Sequence, residues 1–174
     1  MASPIHLAKR GLGMLVPVGP SRTDDAWAEA QLLEHELELW RRMKRTDRRH
    51  AAGVARRVEA ALGERATRPV LAAALLHDVG KIESGLGVYG RTAATLSAMA
   101  VKHDQDVIRA WTRTTGFTRK VGLYLQHPRL GGDLLGIAGS DPFTEAWARE
   151  HHLPEEQWTV DHELGTALKD ADDD

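Results

Sequence analysis

The run Pro69-Val70-Leu71-Ala72-Ala73-Ala74-Leu75-Leu76-His77-Asp78 constrains this chain more than any other segment. Proline in a first helical turn loses no hydrogen bond, and Val70 to Leu76 then put apolar side chains nearly all round the helix. A helix without a polar face must be covered on every side, so this one reads as the central helix of the fold. It ends on an imidazole and a carboxylate. Neither is tolerated in such surroundings unless paired or bound to a cation.

The flanking sequence supplies helices to cover it. Between Thr23-Asp24-Asp25 and about Arg45, the residues Trp27, Leu32, Leu33, Leu37 and Trp40 recur at spacings of three to five, which predicts one amphipathic helix with a Thr/Asp cap. Asp47 is placed to cap a second, from Arg48 to Leu62, with His50, Val54, Val58, Ala61 and Leu62 on one stripe and Gly63 as its stop. Gly80, Gly85, Gly87 and Gly90 mark a loop. Helices are then expected from Arg91 to about Lys102, from Gln105 to Thr114 and from Thr118 to Gln126, the last stopped by Pro128. Gly132 to Ala138, Asp141-Pro142 to Glu150, and Asp161 to Ala171 give three more. No stretch alternates with period two for long enough to demand a strand, so the fold class is all-α. At 174 residues one domain is the default. It is expected over residues 23–174, with residues 1–22, broken by Pro4, Pro17 and Pro20, as a short flexible arm rather than a secretory signal.

The chain has no Cys and nine His. That excludes a disulfide scaffold, a thiolate zinc site, an iron–sulfur cluster and a nucleophilic thiol, and leaves imidazole and carboxylate for any metal chemistry. Lys and Arg total 23 against 25 Asp and Glu, a formal charge of -2, so no global field draws the chain to nucleic acid or anionic membrane. No window approaches about 18 consecutive apolar residues, and with the lack of Cys this predicts a cytoplasmic protein without membrane contact. The basic run Arg41, Arg42, Lys44, Arg45, Arg48, Arg49, Arg56, Arg57 is read first as a solvated face and second as a phosphate-recruiting rim, because it flanks His50. Trp27, Trp40, Trp111, Trp147 and Trp158 are expected in packing roles. His6, His35, His103 and His162 are expected at the surface.

The other five His are placed oddly for surface residues. His50 lies on an apolar stripe, His77 precedes Asp78, His127 closes a helix before Pro128, and His151-His152 closes another. Near the end, Asp170 and Asp172 flank Ala171, and either could be the last carboxylate. Neighbours on a helix stand about 100° apart with a rise of about 1.5 Å, so His77 and Asp78 share an ion only near the helix end. Imidazoles and carboxylates delivered from several helix ends make a polar centre inside a bundle, as in helical carboxylate and His metal sites.

His50-Ala-Ala-Gly-Val54, Leu75-Leu76-His77-Asp78-Val79-Gly80-Lys81-Ile82 and a late Asp together resemble the HD-domain superfamily of metal-dependent phosphohydrolases. His127-Pro128 with Gly131-Gly132-Asp133-Leu134-Leu135, followed by His151-His152, is similar in order and spacing to the HD-GYP branch, which hydrolyses cyclic di-GMP. The resemblance spans roughly Arg48 to Asp172. It implies His50, His77, Asp78 and a terminal Asp, with Asp172 favoured over Asp170, as ligands of one metal. His127, His151 and His152 would hold a second, with Asp78 bridging and Lys81 on the substrate phosphate. Two departures matter. Leu153 to Trp158 stands where the branch carries its Gly-Tyr-Pro signature, which removes the mark of cyclic di-GMP; and Thr46 stands where some members carry a Glu for a third metal.

The chemistry follows without the family name. Two divalent ions about 3.5–4 Å apart can acidify a shared water and neutralise a phosphoryl group during in-line attack. A lysine adds charge that stabilises the transition state, and Arg91, opening the helix after the Gly-rich loop, is a further candidate phosphate contact. Nitrogen and oxygen ligands suit Fe, Mn, Co, Ni or Zn. With this chemistry, the resemblance implies a phosphohydrolase of a phosphomonoester or phosphodiester, with a nucleotide or other phosphorylated small molecule as the expected substrate. Its alternative is a catalytically silent module that binds a nucleotide.

Overall fold

The computed structural model describes residues 19–173, and every regular element among them is helical. Ten α-helices follow one another: α1 Arg22–Ala30, α2 Glu34–Arg42, α3 Arg45–Leu62, α4 Arg68–Leu76, α5 Val88–Ala100, α6 Gln105–Thr112, α7 Gly116–Leu125, α8 His127–Ile137, α9 Pro142–Glu150 and α10 His162–Asp173. Short 3₁₀ turns occupy Gly63–Arg65, Val79–Glu83 and Glu155–Gln157. Among the described residues no helix is long and apolar enough to cross a membrane. Most of the expected arm, residues 1–18, lies outside the described residues, and Arg22 already belongs to α1.

α4 is central. Pro69 sits in its first turn and Val70 to Leu76 are all buried, packed against α3 on one side and α9 on another. α8 packs along α9 and α10 along α3, so the ends of α4, α8, α9 and α10 can converge near His50 in the N-terminal part of α3. Trp40, Trp147 and Trp158 are buried in this core, and the last two meet edge to face at 5.3 Å between ring centroids. α5, α6 and α7 form an outer group around a smaller core of Leu86, Ala94 and Val121, with Trp111 and Tyr124 packed on it.

Four expectations are corrected. The single helix from Thr23 to Arg45 is two, because Leu33 turns extended and its N–H donates to Glu36 Oε2 at 2.8 Å. Glu36 is fully buried and also accepts from Arg68 at 3.1 Å, which fixes a fresh helix start there. Asp47 is not a cap: α3 begins at Arg45, and Asp47, in its first turn, pairs with Arg91. Pro128 does not stop a helix but opens one, since a first-turn proline needs no N–H acceptor, so His127 begins α8. On α3, Val54 and Val58 are buried as expected, whereas Ala61 is exposed and Ala51 and Ala55 take its place in the core.

Candidate metal centre

His77 caps the C-terminal end of α4, and Asp78 follows where the chain tightens into the Val79–Glu83 turn. The turn lies against the start of α8 because position 80 is glycine. A Cβ there would stand 2.0 Å from the His127 carbonyl oxygen and 2.6 Å from the Gly131 amide nitrogen, distances no side chain can occupy. Opposite it, a Cβ on Gly131 would meet the Gly80 nitrogen at 3.2 Å. This backbone-to-backbone approach brings His127 to Asp78. His151, just past the end of α9, and Asp172, in the last turn of α10, enter from the other sides.

His127 Nε2 lies 3.2 Å and His151 Nε2 3.7 Å from Asp78 Oδ1, while His77 Nε2 lies 3.4 Å from Asp78 Oδ2 and 3.7 Å from Asp172 Oδ1. His50 Nε2 and Asp172 Oδ1 are hydrogen-bonded at 2.8 Å. His152, the exposed member, stacks obliquely on His151 with centroids 4.1 Å apart. His77, Asp78, His127 and His151 are each more than nine-tenths buried.

Three imidazoles share one arrangement. Nδ1 of His77, His127 and His151 lies 2.9, 2.7 and 3.0 Å from the carbonyl oxygens of Ala74, Tyr124 and Ala148 respectively. A carbonyl can only accept, so each Nδ1 carries the hydrogen, and in a neutral ring Nε2 is left with a lone pair. For His127 and His151 that lone pair points toward Asp78 Oδ1, itself an acceptor. These three atoms, His127 Nε2, His151 Nε2 and Asp78 Oδ1, are buried without a hydrogen-bond partner. Buried acceptors facing one another are costly unless a cation lies between them. A carbonyl that accepts from Nδ1–H and so fixes the tautomer is also the usual support of metal-bound imidazole.

The electrostatics agree. Burial lowers the pKa of His127, and it lowers that of His151 to about 4, so both are neutral at pH 7. Burial would raise Asp78, but Lys81 and His77 outweigh it and hold the carboxyl well below its ordinary range. His77 is pulled down by burial yet raised overall by Asp78 and Asp172. Asp172, despite burial, is lowered by its bond to His50 and by His77. Lys81, bonded through Nζ to Asp78 Oδ2, stays cationic because Asp78 overrides the cost of burial.

Asp78, His127, His151 and His152 present ligand atoms all within 4.8 Å of one another, as do His50, His77 and Asp78, so the cluster can hold a metal ion. Every residue the sequence placed at the centre is therefore at one place. Of the two late carboxylates, Asp172 reaches it and Asp170 is exposed on α10. His35, His103 and His162 are exposed, and His6 lies outside the described residues. A cavity of about 510 Å³ opens beside the cluster, lined by Asp78, Lys81, His50, His152 and Asp172 and by Arg49 and Arg91 at its walls. Arg91 is not open: Nη1 and Nη2 both meet Asp47 at 2.6 Å, and Nε donates to the Leu86 carbonyl.

Two contributors escape sequence reasoning. Tyr124 stacks on His127 at 5.6 Å and supplies its carbonyl, while Asp47 holds Arg91 in the cavity wall. The spacing of Asp47, three before His50, places both on one face of α3 and was a usable signal. Comparison with protein-family models, with curated proteins and with solved structures gives no match to this chain.

Proposed function

We propose that this chain is a metal-dependent phosphohydrolase of the HD type, cleaving a phosphomonoester or phosphodiester of nucleotide size. The observation that carries the reading is the set of buried acceptors, His127 Nε2, His151 Nε2 and Asp78 Oδ1, which converge without a hydrogen between them. Asp78, His127, His151 and His152 would hold one ion, and His50, His77, Asp78 and Asp172 a second, with Asp78 shared. Divalent ions bound there supply Lewis acidity toward a phosphoryl oxygen and acidify bound water. The donor set is nitrogen and oxygen only, which suits Fe, Mn, Co, Ni or Zn.

The chain's own residues support the phosphate part. Lys81 keeps its charge despite burial and lines the cavity, so its ammonium can bind a phosphate oxygen while Asp78 orients it. Arg91 is bound by Asp47, which lines the same cavity, so this pair offers neither a free donor fork nor an unbalanced positive charge to a phosphate. The cavity volume, about 510 Å³, falls among those that bury small-molecule ligands.

The test has two parts. Purified protein should carry at least about one equivalent of transition metal, and the pair His77→Ala with Asp78→Ala should lose it; metal content below that level in the parent, or unchanged in the variant, sinks the centre. Metal-replete protein should turn over bis(p-nitrophenyl) phosphate or a member of a nucleotide panel. Nucleotide binding with no turnover would instead assign the silent binding module.

A further inference from the structure

The basic run along α2 and α3 divides sharply. Arg41 and Arg42 pair with Glu29 and Glu83, and Lys44 donates to the carbonyls of Gly85 and Leu86. Arg48 pairs with Asp25, Arg56 with Glu59 while lying 3.6 Å over the Trp27 ring, and Arg57 donates twice to the Ala171 carbonyl. That leaves Arg45 and Arg49. Both are exposed and neither makes a side-chain ion pair or hydrogen bond among the described residues. They are one turn apart on the same face of α3, about 6 Å along its axis.

Both also line a second cavity of about 520 Å³, between α3 and the chain entering α1. It shares Arg49 and Gly53 with the cavity beside the His/Asp cluster, so the two adjoin along α3. Gly53 puts no side chain at their junction, and a Cβ there would touch only Arg57 Nη1 at 3.4 Å. Asp24, the acidic residue in the second cavity, is engaged by the Ser21 hydroxyl at 2.6 Å and by Arg56. Two adjoining cavities of similar size, joined at a glycine and flanked by two unpaired guanidinium groups, suit a ligand of two linked units. Guanidinium recognises phosphate by a planar fork of donors.

We propose that the second cavity is a subsite for the neighbouring nucleotide of a phosphodiester-linked substrate, with Arg45 and Arg49 binding the phosphate next to the one at the His/Asp centre. This rests on the phosphohydrolase reading in that the first phosphate sits at that centre. Its volume, that of the first cavity again, is more than a lone phosphate needs, which favours a dinucleotide or short single strand over a nucleoside diphosphate.

Titration calorimetry with two probes tests it: thymidine 5′-monophosphate, and a 5′-phosphorylated thymidine dinucleotide whose linkage is a phosphorothioate. The dinucleotide should bind the parent protein at least about tenfold more tightly, which is about 1.4 kcal/mol. The Arg45→Ala, Arg49→Ala double variant should lose that gain, and the slope of log affinity against log salt should fall by about 0.7 for each contact removed. Gly53→Leu, which blocks the junction at a half-buried position of α3, should lose it too. Equal binding of both probes by the parent, or a gain that survives in the double variant, overturns the proposal. So does failure to bind either, and metal content of the same sample then tells whether the reading of the centre falls with it. If inorganic tripolyphosphate shows the same Arg-dependent gain over phosphate, the cavity recognises charge alone and the nucleotide assignment fails.

Discussion

Gly80→Ala should pull the two halves of the His/Asp cluster apart. The added Cβ would lie 2.0 Å from the His127 carbonyl oxygen and 2.6 Å from the Gly131 nitrogen, both backbone atoms that no rotamer change can move. Relief needs the Val79–Glu83 turn and the start of α8 to separate by roughly 1 Å or more, since interiors are close-packed. Overpacking on this scale costs typically 1–3 kcal/mol, and with rigid backbone on both sides the upper end applies. At about 2–4 °C per kcal/mol for a chain of this size, the midpoint of thermal unfolding should fall by about 6–12 °C. Separation of the turn from α8 also draws His127 away from Asp78, so metal retained after dialysis should drop. Gly53→Ala is the matched control: its Cβ meets only Arg57 Nη1, and alanine inside a helix is favoured over glycine by about 0.5–1 kcal/mol, so this variant should melt slightly higher. Circular dichroism melts and elemental analysis read both. Wild-type stability and wild-type metal content in Gly80→Ala would refute the close approach as the device that assembles the centre.

Asp172→Asn should weaken metal retention at least tenfold, while Asp170→Asn, at an exposed position, should leave metal retention unchanged; equal losses would mean that the wrong carboxylate was assigned. Asp47→Asn removes a bidentate partner from Arg91 in a pair whose side chains are each 11% exposed, and should cost about 2 kcal/mol, read as a shift in urea midpoint that disappears in an Arg91→Ala background. Metal-free protein should lose stability as the pH falls from about 6.5 toward 4. Burial depresses His127 and His151 in the fold, so the unfolded chain takes up those protons first; the stability they confer is present above the unfolded value and lost on the way down to the folded one. His77, whose folded pKa is raised, works the other way, and a midpoint that rises on acidification across this window would show that it dominates.

The helical elements were legible where one local signal ruled, and misread where two signals competed for one residue. Pro69 with seven apolar residues behind it has a single reading, and α4 matches it. Asp141-Pro142 likewise fixes the start of α9, where Asp141 accepts from the Phe143 N–H at 2.9 Å. Pro128 has two readings, as the stop of one helix or the first turn of the next, and only the packing of α8 on α9 selects the second. Asp47 fits a cap as well as it fits a first-turn carboxylate; its partner, Arg91, stands 44 residues away, beyond any local pattern. The break before α2 hides for the same reason, because Glu36 is held by Arg68 from a later helix.

The centre divides along the same line. Each tautomer-fixing bond is local, from an imidazole to the carbonyl three residues before it: His77 to Ala74, His127 to Tyr124, His151 to Ala148. A turn of chain at a helix boundary therefore prepares each Nε2 before any tertiary contact forms, and the order of His residues along the sequence already marks where this happens. What sequence order cannot give is the convergence of those lone pairs on one carboxylate oxygen. That depends on Gly80 meeting α8, on α9 lying along α4 and on α10 lying along α3. Loss of a packing contact should then leave individual imidazoles correctly oriented but too far apart to act together. A centre built this way fails by losing its shared ion before it loses any single ligand's geometry, so metal retention should respond to packing changes that leave the helix content of the chain intact.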